Sequence, residues 1–184
     1  RTRRFDVGQA GDRRFLSAAG IGFDAEVVRR LARARRGPIT KLSYLRPTLG
    51  ALLAHGAASL RVRVDGRLAA ERAAWVLVCN VRHYAAYFEF TPAADPCDGL
   101  LDVCILHSRS RIRLVGLWLQ ARRRRAGRPP AVTLARGTHI EIGGYSESKS
   151  QQDLDKEQFR IGDTRPLDEI VGELIDMDEI PPYC

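Results

Sequence analysis

The segment Ala94–Asp102, ADPCDGLLD, places Asp95, Asp98 and Asp102 around a Pro, Asp and Gly turn. A turn that presents a carboxylate, while its glycine lets backbone carbonyls point inward, suits a hard cation such as Mg²⁺, which takes oxygen ligands and keeps several waters. A plain β-turn with solvated aspartates is the alternative. A second candidate is the glycine-rich GIGFDA, with Gly20, Gly22, Phe23 and Asp24, at the junction between a short apolar run and an amphipathic stretch. Close backbone approach there calls for residues without a Cβ. A third is the run Arg122, Arg123, Arg124 and Arg125 at the end of a helical pattern. These charges oppose a helix dipole favourably, and they can also meet an anionic surface.

Other chemistries find little support. The four cysteines (Cys79, Cys97, Cys104, Cys184) form no CxxC pair, and Cys79 and Cys104 fall in apolar runs where a thiol acts as a small hydrophobe. A reducing cytoplasm is expected. His55, His83, His107 and His139 lack metal-ligand spacing with cysteines or carboxylates, so a zinc site is not expected.

The elements that must position these groups follow from period and punctuation. RRFLSA, then GIGFDA, then Glu26–Arg36 with Val27, Val28, Leu31 and Ala34 at helical spacing, read as strand, glycine turn and helix. A second helix fits Lys41–His55, with Pro47 near its start; its thin polar face predicts deep burial. From Ala58 the period becomes two. Leu60, Val62 and Val64 alternate with Arg61, Arg63 and Asp65, and Asp65-Gly66 supplies a hairpin turn. Ala73–Val81 and Leu101–Leu106 are continuous β-formers, as in strands buried on both faces. Arg111–Ala126 predicts a helix with Ile112, Leu114, Val115, Trp118 and Leu119 inward, stopped by Gly127 and Pro129. Val132–Leu134 and His139–Ile142 return to strand, a polar linker follows Gly144, and Pro166 opens a short acidic helix through Met177.

The chain has 184 residues, a formal charge of +8 and 45% hydrophobic residues, enough for a sizeable core. No apolar run approaches the roughly 18–20 residues of a membrane-spanning helix, and the N-terminus shows no signal core. A piece of a longer gene product is expected. Residues 1–142 hold 26 basic and 11 acidic side chains, net +15, whereas residues 143–184 hold 4 and 11, net −7. The composition therefore breaks near Gly143, and two regions are expected, 1–142 and an acidic tail over 143–184.

The segments FLSAAGIGFDAEVV and WVLVCNVRHYAAYFEFTPAADPCDGLLDV, with the basic helix after them, resemble in order and spacing the C-terminal domain of the bacterial diacylglycerol kinase and sphingosine kinase-like lipid kinase family. The N...P.A...DG.LDV arrangement is the most specific part. The resemblance implies an α+β, β-rich fold, an antiparallel sandwich-like domain with two or three helical insertions. It further implies a separate N-terminal nucleotide-binding domain, ATP as co-substrate, Mg²⁺, and phosphorylation of a hydroxyl on diacylglycerol or a related lipid. Carried over by position, the family's Mg²⁺ loop falls on Asp95, Asp98 and Leu100, with Asp98 binding through its carboxylate and the other two chiefly through backbone carbonyls. Gly22, Phe23 and Asp24 fall near the lipid site, with Phe23 against an acyl chain; a packing turn is the alternative. The sequence departs from the family at Tyr84-Ala85-Ala86-Tyr87, where a glycine-rich segment is usual, and it contains neither the phosphate-binding GGDGT segment nor the DGE motif that carries the family's general base. No catalytic residue is assigned, and the 184 residues alone are expected to be inactive.

The tail from Gly143, with its GDTRPLDE segment, resembles the C-terminal region of radical-SAM tyrosine lyases, where Cys184 would correspond to the first cluster cysteine. One thiolate cannot hold a cluster, and no Fe–S cluster is expected. Three functional readings therefore stand: part of a peripherally membrane-associated cytoplasmic lipid kinase, a non-enzymatic basic module for anionic membrane or nucleic acid, and a fragment related to a radical-SAM lyase. No nucleic-acid motif is recognisable, so no specific nucleic acid is expected.

Overall fold

The computed structural model describes residues 4–34, 45–54, 59–84, 88–123, 131–144 and 156–166. The elements in chain order are β1 (Arg4–Ala10), β2 (Arg13–Phe15), β3 (Ala18–Ile21), α1 (Phe23–Ala34), α2 (Leu45–Ala54), β4 (Leu60–Val64), β5 (Arg67–Ala73), β6 (Trp75–Cys79), β7 (Leu101–Leu106), α3 (Arg111–Arg122), β8 (Val132–Gly137), β9 (His139–Gly144) and β10 (Lys156–Pro166). They make a six-stranded sheet in the order β2-β1-β10-β9-β4-β5 and a four-stranded sheet in the order β3-β6-β7-β8. All described pairings are antiparallel. The expected α+β, β-rich sandwich with helical insertions is the observed architecture.

Two cores explain why β6 and β7 carry unbroken apolar runs. Val76 and Val78 of β6, with Leu101, Val103 and Ile105 of β7, face the six-stranded sheet and pack on Val62, Ile140, Ile142 and Phe159. Trp75, Leu77 and Cys79, with Cys104 and Leu106, face the opposite way onto Phe23, Val27, Leu114, Leu117 and Ala121 of the helices. The smaller sheet is thus a middle layer, apolar on both faces. The thiols of Cys79 and Cys104 lie within it, the first pushed by burial up to about 12 and the second raised further, so both behave as hydrophobes.

The hairpin between β4 and β5 forms at the expected dipeptide. Asp65 and Gly66 both have positive φ, 48° and 76°, which is the primed geometry that matches strand twist. The Asp65 carboxylate also accepts the backbone N–H of Thr138 and of His139, at 3.0 and 2.9 Å, tying this turn to the β8–β9 connection. The His139 N–H above all holds its carboxyl below the usual range. Because that pKa is depressed in the folded state, its stabilisation is present above the unfolded value of about 3.9 and is lost as pH falls through the folded value. Asp65→Ala is expected to lower Tm at pH 7 by about 2–4 °C, as loss of roughly 1 kcal/mol of hydrogen bonding does in a domain of this size, with the difference from wild type shrinking below pH 4 in thermal scans.

Four expectations need correction. Lys156–Pro166 is not linker: β10 pairs with β9 through Lys156↔Gly143 to Arg160↔His139, and with β1 through Arg4↔Pro166 to Ala10↔Phe159. The sheet therefore runs through the compositional break at residue 143. Phe159, buried and edge-on to Phe15, anchors a strand whose other residues apart from Ile161 and Pro166 are polar, charged or glycine. Second, β1 was not anticipated, and it is the strand that β10 joins. Third, α2 is not deeply buried, since among its described side chains Pro47 and Ala51 are buried while Arg46, Leu49 and Leu53 are exposed. Fourth, α3 turns Leu114, Leu117 and Ala121 inward, with Trp118 partly buried, and leaves Ile112, Val115 and Leu119 outside. With apolar side chains around most of its circumference, helical spacing could not choose the face. Pro166, expected to open a helix, is the last residue of β10, and the rest of that expected helix to Met177 lies outside the described residues, as does the start of the Lys41–His55 pattern.

Candidate functional site

The candidate metal loop is held by residues far from it in sequence. Asp6, buried in β1, donates its backbone N–H to the Pro96 carbonyl at 2.7 Å and accepts the Gly99 N–H on its carboxylate at 2.7 Å. Asn80, fully buried after β6, donates its amide to the carbonyls of Asp6 (2.7 Å) and Leu16 (3.0 Å). Within the loop the Asp95 carboxylate accepts the Cys97 N–H at 3.1 Å, and the Asp98 carboxylate accepts the Leu100 N–H at 3.0 Å. Gly99 has φ of +74°, a conformation in which a side chain would be strained.

Arg136 of β8 closes the other side. Its guanidinium pairs with Asp102 at 3.1 Å and with Asp98 at 3.3 Å, and also donates to the Ala93 carbonyl. Cross-strand register explains the first contact, since Asp102 sits between Cys79 of β6 and Arg136 of β8. Burial raises the Asp102 pKa above the usual carboxylate range, and the Arg136 contact opposes that shift. Asp95, Asp98 and Leu100 are therefore brought together in one ordered loop. Among the described residues, no three His, Cys, Asp or Glu side chains converge as a metal cluster. The carried-over ligand set is instead one carboxylate and two carbonyls. In donor chemistry it fits a hard cation, because an ionised carboxylate has about four acceptor positions and Asp98 has one spent on Leu100 and one on Arg136.

The GFDA turn builds a second locus on the opposite face of the middle sheet. Gly22 has φ of +94°, and a Cβ there would lie 2.9 Å from the Ala74 carbonyl; a Cβ on Gly20 would lie 2.5 Å from the Asp24 side chain. The two glycines thus let the start of α1 press onto β6. Phe23 is buried, edge-on to Trp75 (6.3 Å) and Trp118 (6.1 Å). Around Trp118 also gather Phe88 (4.5 Å), Phe90 (5.0 Å) and Tyr84 (6.0 Å). Asp24 enters this aromatic cluster through its carboxyl group, accepting a hydrogen bond from the Tyr84 hydroxyl. Burial raises its pKa, and the Tyr84 bond opposes the rise. Gly22, Phe23 and Asp24 are contiguous with the helix-side core, so the packing role of the turn is realised in the structure.

Arg122 and Arg123 are exposed at the C-terminal end of α3, whereas Arg124 and Arg125 lie outside the described residues. The two loci approach each other across β6 and β7 at Cys79 and Asp102. Sequence reasoning missed Asp6 and Arg136 as partners of the loop, Asn80 as the group that holds Asp6, and Tyr84 as the partner of Asp24. Only Asn80 had a local signal, as the asparagine that opens the N...P.A...DG.LDV pattern.

Comparison with known proteins follows the same lines. The sequence profile described as YegS C-terminal NAD kinase beta sandwich-like domain matches residues 17–162. No curated protein sequence matches the chain. A solved structure described as a diacylglycerol kinase from Bacillus anthracis str. Sterne superposes with a TM-score of 0.58 at 19% identity, over 87% of this chain and 53% of that one. A second structure from the same organism, assigned to the same kinase class, gives 0.60 at 17% identity, over 87% and 54%. At such identities the likeness is one of fold, and the chain spans about half the length of these structures.

Proposed function

Because the chain belongs to the family of YegS C-terminal NAD kinase beta sandwich-like domains, we propose that it is the lipid-side domain of an ATP-dependent kinase that phosphorylates a hydroxyl of diacylglycerol or a related lipid. The observation that carries this reading is the loop from Thr91 to Asp102, which bears most of the family's most specific pattern and is clasped by Asp6 and Arg136, with Asn80 holding the Asp6 carbonyl. An ordered loop of this kind is a rigid part against which a nucleotide-binding domain can be aligned.

In this reading Asp98 holds Mg²⁺ through its carboxylate, and Asp95 and Leu100 through their carbonyls. The ion would add positive charge to a loop rich in carboxylates and so keep it ordered. Arg136 neutralises Asp98 and Asp102 together and fixes where the carboxylate points. Arg122 and Arg123 carry the basic surface toward anionic lipid. ATP is bound by a nucleotide-binding domain outside these residues, and neither the phosphate-cradling segment nor the base is supplied here.

Replacing the corresponding domain of a competent family kinase with the residue 17–162 portion of this chain, while leaving the host's GGDGT and DGE segments in place, tests the reading. Phosphatidate formation from diacylglycerol and ATP is the expected result; a folded, nucleotide-binding hybrid that phosphorylates no lipid would overturn it. The 184 residues alone are expected to form no phosphatidate. In isothermal titration they are expected to bind Mg²⁺, with Asp98→Ala weakening binding at least tenfold while leaving Tm within a few degrees; no binding by the wild type removes the metal from the proposal.

A further inference from the structure

Five of the six large hydrophobic side chains that stand exposed among the described residues belong to two helices. On α3, Ile112 (85% exposed), Val115 and Leu119 (50%) are spaced three and four apart, so they form one outward stripe opposite the buried stripe of Leu114, Leu117 and Ala121. On α2, Leu49 and Leu53 (59%) are likewise four apart, with Arg46 on the same side. The two helices meet where Arg111 donates to the Leu53 carbonyl at 2.5 Å, which sets the last turn of α2 beside the first turn of α3. Scattered exposed leucines need no explanation, but a concentration of them on two touching helices does.

Charge selects what covers this face. Arg109, Arg111, Arg113, Arg122 and Arg123 are all exposed along or beside α3, and the sequence has no carboxylate between Asp102 and Glu141. On the α2 side there is none between Glu26 and Asp65. A second copy seated symmetrically would bring two arginine rows together with no acid of the same segments to pair them. Nucleic acid would take the guanidinium groups but gain nothing from Ile112, Val115 and Leu119, whose exposure to water would persist. An anionic bilayer satisfies both features, because acyl chains receive the apolar stripe while headgroup phosphates receive the arginines.

We infer that the outward faces of α2 and α3 form a docking surface for anionic bilayers, with Ile112, Val115, Leu119, Leu49 and Leu53 entering the headgroup and acyl boundary and the flanking arginines held at the phosphates. This deepens the peripheral-membrane part of the reading above and does not depend on which hydroxyl is phosphorylated. It also gives α3 two functions at once: its inner side seals the aromatic cluster around Trp118, and its outer side meets lipid.

Cosedimentation of the 184-residue chain with vesicles tests it, using phosphatidylcholine alone and phosphatidylcholine mixed with phosphatidylglycerol, with no diacylglycerol and no ATP. Binding to the mixed vesicles and little to the neutral ones is expected. Ile112→Ser with Leu119→Ser should lower the partition coefficient at least tenfold, and Arg122→Gln and Arg123→Gln about fivefold each on the anionic vesicles only. Because these side chains are exposed, Tm should stay within about 2 °C of wild type. Gly116 lies on the same outward side with open space where a Cβ would be, so Gly116→Leu should strengthen binding without touching the core. Equal binding by wild type and the Ile112→Ser, Leu119→Ser variant would overturn the inference. So would a dimer in sedimentation equilibrium that the same substitutions abolish, or a shift of duplex DNA at physiological salt without vesicle binding. With no substrate or nucleotide present, failure here leaves the kinase reading untouched, and failure of the hybrid kinase leaves this surface untouched.

Discussion

Trp75→Ala is expected to destabilise the fold by about 3–5 kcal/mol, the cost of removing a large aromatic side chain from a well-packed core. Trp75 is fully buried, stacked on Trp118 at 6.1 Å and edge-on to Phe90 at 5.2 Å and Phe23 at 6.3 Å. It belongs to the middle sheet yet touches rings from the GFDA turn, the Phe88–Phe90 segment and α3, so no single element can shift to fill the space. Against a total stability of about 5–15 kcal/mol that is a large fraction. In urea unfolding followed by circular dichroism, the midpoint should fall markedly with the slope unchanged, and Tm should drop on the order of 10 °C. Trp75→Phe should recover more than half of the loss. An alanine variant as stable as wild type would show that the aromatic cluster does not hold the helices to the sheet.

The second large effect is expected from Arg136→Met. Met keeps much of the volume but removes the guanidinium that serves Asp98, Asp102 and the Ala93 carbonyl. Asp102 is buried in β7, and stripping the partner from a buried carboxylate costs about 1–3 kcal/mol; the partial exposure of Arg136 argues for the lower half of that range. The pH dependence follows with a definite sign. In wild type, burial raises the Asp102 pKa above its unfolded value, so the native state binds more protons in the window between the two, and stability falls as pH rises through it. Arg136 opposes this rise, so its removal lifts the pKa further and widens the window upward. Tm measured from pH 5 to pH 7 should therefore decline more steeply in Arg136→Met than in wild type, with the two proteins closest at the acid end. Arg136→Lys should lie between, because it keeps a charge but not the fork that reaches three acceptors. Parallel pH profiles would remove Arg136 from this role. Asp65 gives the opposite limb: its depressed pKa means that its stabilisation is lost toward acid.

Much of the fold was legible because its elements carry local signals. The alternation at Leu60, Val62 and Val64 recurs as buried and half-exposed positions of β4, and Asp65-Gly66 is the turn. The unbroken runs of β6 and β7 did mean burial on both faces. The positive φ of Gly22 and the crowding around it account for the glycine turn before α1. Where local signals were balanced, sequence reasoning failed. α3 is apolar around most of its circumference, so its period could not say which side is buried, and the side it leaves exposed is the one that bears the proposed docking surface. β10 reads as polar apart from Phe159 and Ile161, so composition alone placed it outside the sheet.

The sequence by itself determined the strands around Leu60–Val64, Trp75–Cys79 and Leu101–Leu106, the loop pattern from Asn80 to Asp102 whose family resemblance implied the class of fold, the glycine turn at Gly20–Asp24, and the concentration of positive charge before residue 143. These are properties of residue type at short spacing, and short spacing sets backbone preference and side-chain period directly. Only the tertiary structure decided that β1 and β10, from the two ends of the described chain, lie side by side, and that Asp6 and Arg136 close on the loop from opposite sides. Pairing of this kind is made by backbone hydrogen bonds, which every residue type except proline can donate and which therefore leave little mark on the sequence. The acidic region is likewise not a separate appendage over Lys156–Pro166, because that segment completes the sheet that the basic region begins.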